Sequence, residues 1–205
     1  INEPGRKYSS LRSKLVTVYS TSSGSGKSYL ASLLSLALSG EKVILLDLSY
    51  HGKTVFDFFN ERITVPLSVK DSTEDGEESV INDRIVKHNE NIHLLNISFS
   101  SMVKTDPEIL KPVILFLSRK YKYIVADLSD DDPDLRDCLF MLSDFIFTLT
   151  DGKKDIEKCQ KAFDNTISEG QRIIYVRNSY LNQEKGSYLG GLILNRCDSE
   201  NPGKP

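Results

Sequence analysis

The sequence has few cysteines, little excess of charge of either sign and no long apolar run. Its three cysteines, Cys138, Cys159 and Cys197, are odd in number, widely spaced and outside any C-x-x-C pattern. This argues against a disulfide framework or a zinc site and fits a reducing cytoplasm. The net charge of −3 predicts no broad nucleic-acid surface. The longest apolar runs are shorter than the roughly 20 residues that a membrane helix needs, so no membrane-spanning segment is predicted.

The composition predicts one globular domain. At 205 residues, 39% of them hydrophobic, the chain is long enough to bury a core. Residues 1–14 mix proline, glycine, serine and basic side chains, which is typical of a linker or tail, so the predicted domain is 15–205. Because the sequence begins with Ile1 and ends at Pro205, shortly after an apolar strand, we expect a fragment of a longer protein.

From Leu15 onward, β-rich runs alternate with helical segments. Strands are predicted at 15–20, 42–48, 91–97, 121–128, 144–150, 172–177 and 190–195, and helical segments at 27–39, 54–61, 79–88, 106–120, 133–142 and 153–168. Several strands are continuous apolar runs, which is typical of strands covered by helices on both faces. We therefore expect an α/β fold, a doubly wound and mostly parallel β-sheet flanked by helices, which binds ligands beyond the carboxyl ends of its strands.

A glycine- and serine-rich turn, STSSGSGKS at 20–28, joins the first predicted strand to the first helix. It follows the phosphate-binding pattern G-x-x-x-x-G-K-[ST], except that Thr21 replaces the first glycine. Gly24 and Gly26 allow backbone N–H groups to turn toward phosphate oxygens, Lys27 would bridge the outer phosphates, and Ser28 would ligate Mg²⁺. The predicted nucleotide-binding residues of this loop are Ser23, Gly24, Ser25, Gly26, Lys27, Ser28 and Tyr29. The alternative is a serine-rich turn with a solvated lysine.

Two predicted strands end in a carboxylate at the same rim of the sheet as this loop. Asp47 closes VILLDL, and Asp127 closes YIVADL. In P-loop enzymes an Asp after an apolar strand holds the Mg²⁺, usually through a bound water. We therefore predict a metal site at Ser28, Asp47 and Asp127, with Lys27 and Asp47 as catalytic residues. Either Asp alone is equally consistent with a turn former or a helix cap.

The order of these motifs resembles the MinD/ParA group of P-loop ATPases. The similar segments are the loop, VILLDLSYHGKTVFDFF, and then YKYIVADL, within roughly residues 15–195. Within the group the chain is most similar to the TadZ/CpaE-type proteins, which place pilus-assembly machinery. The resemblance implies ATP or ADP with Mg²⁺ as cofactors, a homodimer, and protein partners in an envelope-associated assembly. It also implies a cytoplasmic protein that such partners recruit to the membrane.

The chain departs from the family pattern at three positions. Ser22 stands where the family has a lysine that reaches across a dimer to the partner's nucleotide, and Ser23 replaces the adjoining glycine. Ser49 stands where similar proteins have an acidic residue that orients the attacking water. Because orientation and charge compensation carry most of the catalysis in phosphoryl transfer, the resemblance implies weak or absent hydrolysis. The alternatives are an active ATPase or tyrosine-kinase-like enzyme, and a degenerate interaction module without nucleotide.

Two asparagines compete for recognition of the base. Similar proteins commonly contact adenine through an Asn just past the sixth strand, and Asn178 has that position. Asn195 forms an Asn-x-x-Asp pattern with Asp198 that resembles a guanine-reading motif. The prediction favours Asn178 and leaves ATP against GTP open, since either asparagine is also a common turn former.

Overall fold

The described part of the chain forms a β-sheet with helices on both faces. The computed structural model describes residues 13–48, 54–62, 65–68, 77–98, 110–128, 132–150, 153–163, 166–168, 170–177 and 193–196. The strands are β1 (Lys14–Tyr19), β2 (Val43–Leu48), β3 (Leu67–Ser68), β4 (Val86–Lys87), β5 (Ile92–Ser98), β6 (Tyr123–Leu128), β7 (Phe145–Thr150), β8 (Arg172–Arg177) and β9 (Ile193–Arg196). The helices are α1 (Lys27–Ala37), α2 (Thr54–Phe58), α3 (Glu77–Arg84), α4 (Leu110–Ser118), α5 (Pro133–Leu142) and α6 (Lys153–Phe163).

The strand order is β3-β5-β2-β6-β1-β7-β8-β9, and β4 also pairs with β5. The pairs that involve β4 and β9 are antiparallel, whereas the other strand pairs are parallel. From β1 the chain moves in one direction to β2 and β5, and from β6 it moves in the other direction to β7 and β8. This confirms the predicted doubly wound, mostly parallel sheet, and it places the topological switch point at β1 and β6.

The continuous apolar runs are explained by two hydrophobic cores, one on each face of the sheet. In β2, Val43 and Leu45 belong to the core on the side of α1 and α2, and Ile44 and Leu46 belong to the core on the opposite side. All four side chains are fully buried. Successive side chains of a strand point to opposite faces of the sheet. A strand that is buried on both faces therefore needs apolar residues at odd and even positions alike.

The predicted helix at 79–88 is wrong in its second half. Helix α3 ends at Arg84, and Val86 and Lys87 then form β4, antiparallel to β5. The reversal is fixed by Asn89, whose Oδ1 accepts hydrogen bonds from the backbone N–H groups of Asn91 and Ile92 at 2.9 and 2.8 Å. An Asx turn of this kind competes with continuation of the helix.

Other boundaries also differ from the prediction. The described part of helix α6 extends to Phe163, and residues 166–168, which were predicted to be helical, are not; there the Thr166 hydroxyl donates to the carbonyl oxygen of Ala162 at 3.0 Å. Strand β3 was not predicted, because two residues carry no periodicity. Of the predicted tail at 1–14, the structure describes only the last two residues, and Lys14 already belongs to β1. The predicted start of a helix at 106–109 lies outside the described residues.

Candidate nucleotide site

The loop between β1 and α1 lies at the carboxyl edge of the sheet, beside the switch point. Gly24 and Gly26 have φ angles of 68° and 93°, in the left-handed region that favours glycine. Gly26 is the N-cap of α1 and provides no side-chain cap. The helix dipole makes this end of α1 attractive to an anion.

The loop is held together by hydrogen bonds within it, one of them from Lys27. The ammonium group of Lys27 donates to the carbonyl oxygen of Ser22 at 3.3 Å, and the backbone N–H of Ser22 donates to Oγ of Ser20 at 3.1 Å. The carbonyl oxygen of Ser28 accepts a hydrogen bond from Oγ of Ser32 at 2.8 Å, within the first turns of α1. The structure thus places Lys27 and Ser28 together at the start of the helix, with the lysine directed back over the loop.

The remaining loop residues differ in exposure. Ser25 is buried, and Ser23 and Gly24 are exposed. Tyr29 is 59% exposed, and its ring packs edge-on against Phe58 of α2, with 5.6 Å between ring centroids. The Tyr29 ring therefore faces α2. Only the main chain of Tyr29 lies with Lys27 and Ser28 in the first turn of α1.

Asp47 and Asp127 lie side by side on neighbouring strands. Asp127 of β6 pairs with Val18 of β1 on one side and with Asp47 of β2 on the other. The two aspartates are 0% and 2% exposed. Paired residues of adjacent strands point to the same face, and Val18 belongs to the core on the α1 side. Both carboxylates thus lie on the face that α1 covers, one and two strands away from the strand that leads into the loop.

A third polar side chain continues this row, and the sequence prediction missed it. Asn96 of β5 pairs with Asp47 and is buried with 6% exposure. Its Nδ2 donates to the backbone carbonyl oxygen of Asp47 at 3.3 Å. The signal was present in the sequence, because HLLNIS ends an apolar run with a polar residue as VILLDL and YIVADL do.

The oxygen donors predicted for the metal site fit Mg²⁺. Ser28, Asp47 and Asp127 supply oxygen atoms, the ligands that Mg²⁺ prefers. Two carboxylates buried next to each other also favour a positive charge nearby, which a divalent cation would provide. Within the described ranges no group of three or more His, Cys, Asp or Glu could hold a metal.

Of the two asparagines predicted to contact the base, only Asn195 lies within the described residues. Asn178 and Ser49 lie outside the described residues. Asn195 lies in β9, where it pairs with Tyr175 of β8. Two strands, β7 and β8, stand between β9 and β1, so the backbone of Asn195 does not adjoin the loop. Its role in base recognition stays a prediction.

Two groups with shifted pKa values, His93 and Tyr121, lie at the opposite, amino edge of the sheet. His93 Nδ1 and the Tyr121 hydroxyl are hydrogen-bonded at 2.7 Å. Burial raises the pKa of Tyr121 to about 12. The pKa of His93 is lowered, first by burial and then by repulsion from Lys87 and Lys42. These groups are separated from the loop by the length of a strand.

Cys138 and Cys159 are buried thiols. They belong to the core opposite α1, and Cys197 lies outside the described residues. No helix in the described part of the chain is long and apolar enough to cross a membrane.

Sequence comparison finds no matching protein-family model and no similar curated protein. Solved structures do resemble the chain. A plasmid partition protein from Borrelia burgdorferi is 22% identical with a TM-score of 0.64, over 84% of this chain and 81% of that chain. The septum site-determining protein MinD from Pyrococcus horikoshii, complexed with Mg-ADP, is 18% identical with a TM-score of 0.61, over 84% and 72%.

A cobyrinic acid a,c-diamide synthase from Mycobacterium smegmatis, with bound ATP analogue and magnesium, is 15% identical with a TM-score of 0.62, over 82% of this chain and 73% of that chain. Similarity at these identities establishes the fold, while the closeness to TadZ/CpaE-type proteins stays a prediction. The chain shares the doubly wound α/β fold of ParA- and MinD-type P-loop proteins.

Proposed function

We propose that the chain is an ATP-binding switch or scaffold domain of the MinD/ParA type. It binds ATP or ADP with Mg²⁺, hydrolyses ATP slowly or not at all, and forms a homodimer. Through protein partners it positions an assembly of the pilus or secretion type at the envelope. The observation that carries the proposal is the buried pair Asp47 and Asp127, beside a glycine loop from which α1 begins at Lys27.

The charges on the two sides of the site suit a magnesium triphosphate. The loop, the start of α1 and the Lys27 ammonium group form a positive end, which attracts phosphate oxygens. The carboxylates of Asp47 and Asp127 form a negative end one and two strands away. A triphosphate with its Mg²⁺ carries both signs of charge. An inorganic anion alone would satisfy only the loop, and a bare cation would satisfy only the carboxylates.

The proposed weak hydrolysis rests on what the loop contains. Ser22 and Ser23 are neutral, and the carbonyl oxygen of Ser22 already accepts a hydrogen bond from Lys27. A hydroxyl group cannot replace a cation in stabilising the charge that develops on a transferring phosphoryl group. Lys27 and Asp47 remain as the proposed catalytic residues, and we retain Asn178 over Asn195 for contact with the base.

The similar structures support the ligand and the role. Two of them contain Mg-ADP or an ATP analogue with magnesium. Two are a plasmid partition protein and a septum site-determining protein, names that describe the placement of cell components. A positioning role for this chain extends that similarity.

The test is a titration of the purified chain with ATP and with GTP, with and without Mg²⁺, followed by a phosphate-release assay. We expect ATP to bind more tightly with Mg²⁺ than in EDTA, with negligible release of phosphate. Lys27→Ala should weaken binding about 10- to 100-fold, because a charge-assisted contact to phosphate is lost. Lys42→Ala is the matched control: it removes the same charge from an exposed residue at the opposite edge of the sheet and should leave the affinity for nucleotide unchanged.

The alternatives give different results in the same assays. Rapid phosphate release would favour an active ATPase or kinase. No binding of either nucleotide would refute the loop assignment and favour an interaction module without nucleotide. Equal affinity of wild type and Lys27→Ala for ATP would refute the loop assignment alone.

A further inference from the structure

Asn96 is a buried amide in a strand whose other fully buried residues are apolar. Its neighbours in β5, Leu94, Leu95 and Ile97, are almost fully buried in the two cores. Burying an amide is costly unless its polar atoms are hydrogen-bonded, so a leucine or valine would suit packing better at this position. The presence of an amide therefore points to a polar task on the face that it shares with Asp47.

The hydrogen bond of Asn96 acts on the main chain of Asp47. Its Nδ2 donates to the Asp47 carbonyl oxygen at 3.3 Å, from the strand that pairs with β2 in register. Strand β2 ends one residue later, at Leu48. A restraint on the backbone of Asp47 limits where its carboxylate lies, because both belong to the same residue. Asn96 thereby helps to keep the Asp47 carboxylate beside that of Asp127.

We propose that Asn96 is a positioning residue for the metal part of the nucleotide site. It acts through Asp47, and its contribution is the gain in nucleotide affinity that Mg²⁺ provides. The inference rests on the proposed function. The proposed function is tested by nucleotide affinity itself, which depends on the loop and Lys27. This inference is tested by the change in that affinity when Mg²⁺ is added. Residues that orient metal ligands typically change metal affinity about 10- to 100-fold when they are substituted.

The experiment compares Asn96→Leu with Asn91→Leu. Asn91 lies just before the amino end of β5, and its Nδ2 donates to the backbone carbonyl oxygen of Ser39 at 2.9 Å. The two substitutions remove the same kind of hydrogen bond from opposite edges of the sheet. For each protein, ATP affinity is measured by calorimetry in EDTA and in saturating Mg²⁺, and thermal unfolding checks that the variant is folded. If Asn96→Leu is poorly folded, Asn96→Val is used in its place, because valine is favoured in strands.

For Asn96→Leu we expect affinity in EDTA within about twofold of wild type, and a gain from Mg²⁺ that is about tenfold smaller. For Asn91→Leu we expect both affinities to match wild type. The inference is overturned if Asn96→Leu keeps the full gain from Mg²⁺, or if it loses affinity equally in EDTA and in Mg²⁺.

Failure of the proposed function has a separate signature. A wild type that binds no nucleotide under either condition overturns the proposed function and this inference with it. A wild type that binds ATP with a gain from Mg²⁺, beside an Asn96→Leu variant with the same gain, overturns the inference alone.

Discussion

Gly24 and Gly26 give the candidate loop its shape, through backbone conformation rather than through lack of space. Both have left-handed φ angles, on either side of the buried Ser25. A Cβ at Gly24 would meet no heavy atom within 4 Å, so an added side chain causes strain but no clash. The glycine spacing in the sequence predicted this loop, because left-handed conformations are a local property of single residues.

Substitution of Gly24 separates strain from packing. We expect Gly24→Ala to lower the free energy of unfolding by about 1–2 kcal/mol, the cost of a left-handed non-glycine residue. Gly40→Ala is the control, since a Cβ there also meets open space and its φ is not left-handed. Urea denaturation of both variants measures the difference. Equal losses in the two variants would contradict the strain argument.

At the scale of elements, the sequence predicts structure that depends on adjacent residues, such as the start of a helix. It does not predict structure that depends on pairing with a distant strand. Helix α5 was predicted at 133–142 and occupies Pro133–Leu142, because its start is written in adjacent residues. The carboxylate of Asp132 accepts from the N–H groups of Asp134 and Leu135, and Pro133 occupies the first helical position. Strand β4 was instead read as helix, because its two residues are strand only through pairing with β5.

The cap of α5 gives a prediction at this scale. Asp132→Ala should reduce the free energy of unfolding by about 1 kcal/mol, because two N–H groups lose their acceptor. Asp132→Asn keeps an acceptor and should retain most of the stability. Asp134→Ala removes a carboxylate from the same turn without removing the cap, and it should cost only a few tenths of a kcal/mol. Chemical denaturation would contradict the cap assignment if Asp134→Ala proved the more harmful.

At the scale of the whole molecule, the sheet separates two edges with different chemistry. The carboxyl edge carries the loop and the row of Asn96, Asp47 and Asp127, and the amino edge carries the His93 and Tyr121 pair. Apolar runs were enough to predict the doubly wound sheet and the edge at which the loop, Asp47 and Asp127 lie. They were not enough to predict that Asn96 adjoins Asp47, since the register between strands far apart in sequence is a property of the folded chain.

The amino edge gives the stability of the whole protein a pH dependence. The pKa of His93 lies below its usual 6.5, because burial and then Lys87 and Lys42 disfavour the charged form. The unfolded chain therefore takes up the proton first as pH falls. The contribution of His93 to stability is complete above about pH 6.5 and is lost as the pH falls from there through the lower pKa of the folded state.

We expect the free energy of unfolding of the wild type to fall more between about pH 7.5 and pH 5.5 than that of His93→Gln. Urea denaturation at the two pH values measures this difference. Lys42→Ala removes one of the two repelling cations and should give an intermediate slope. Parallel pH dependence of the wild type and His93→Gln would show that this residue does not carry the effect.

The exposure of Tyr29 has a practical consequence for spectroscopy. The sequence contains no tryptophan, and Tyr29, which directly follows Ser28, is 59% exposed. An indole introduced by Tyr29→Trp would be the single tryptophan fluorophore of the chain, placed at the exit of the glycine loop. Its emission would report the arrival of a ligand at that loop free of signal from any other indole.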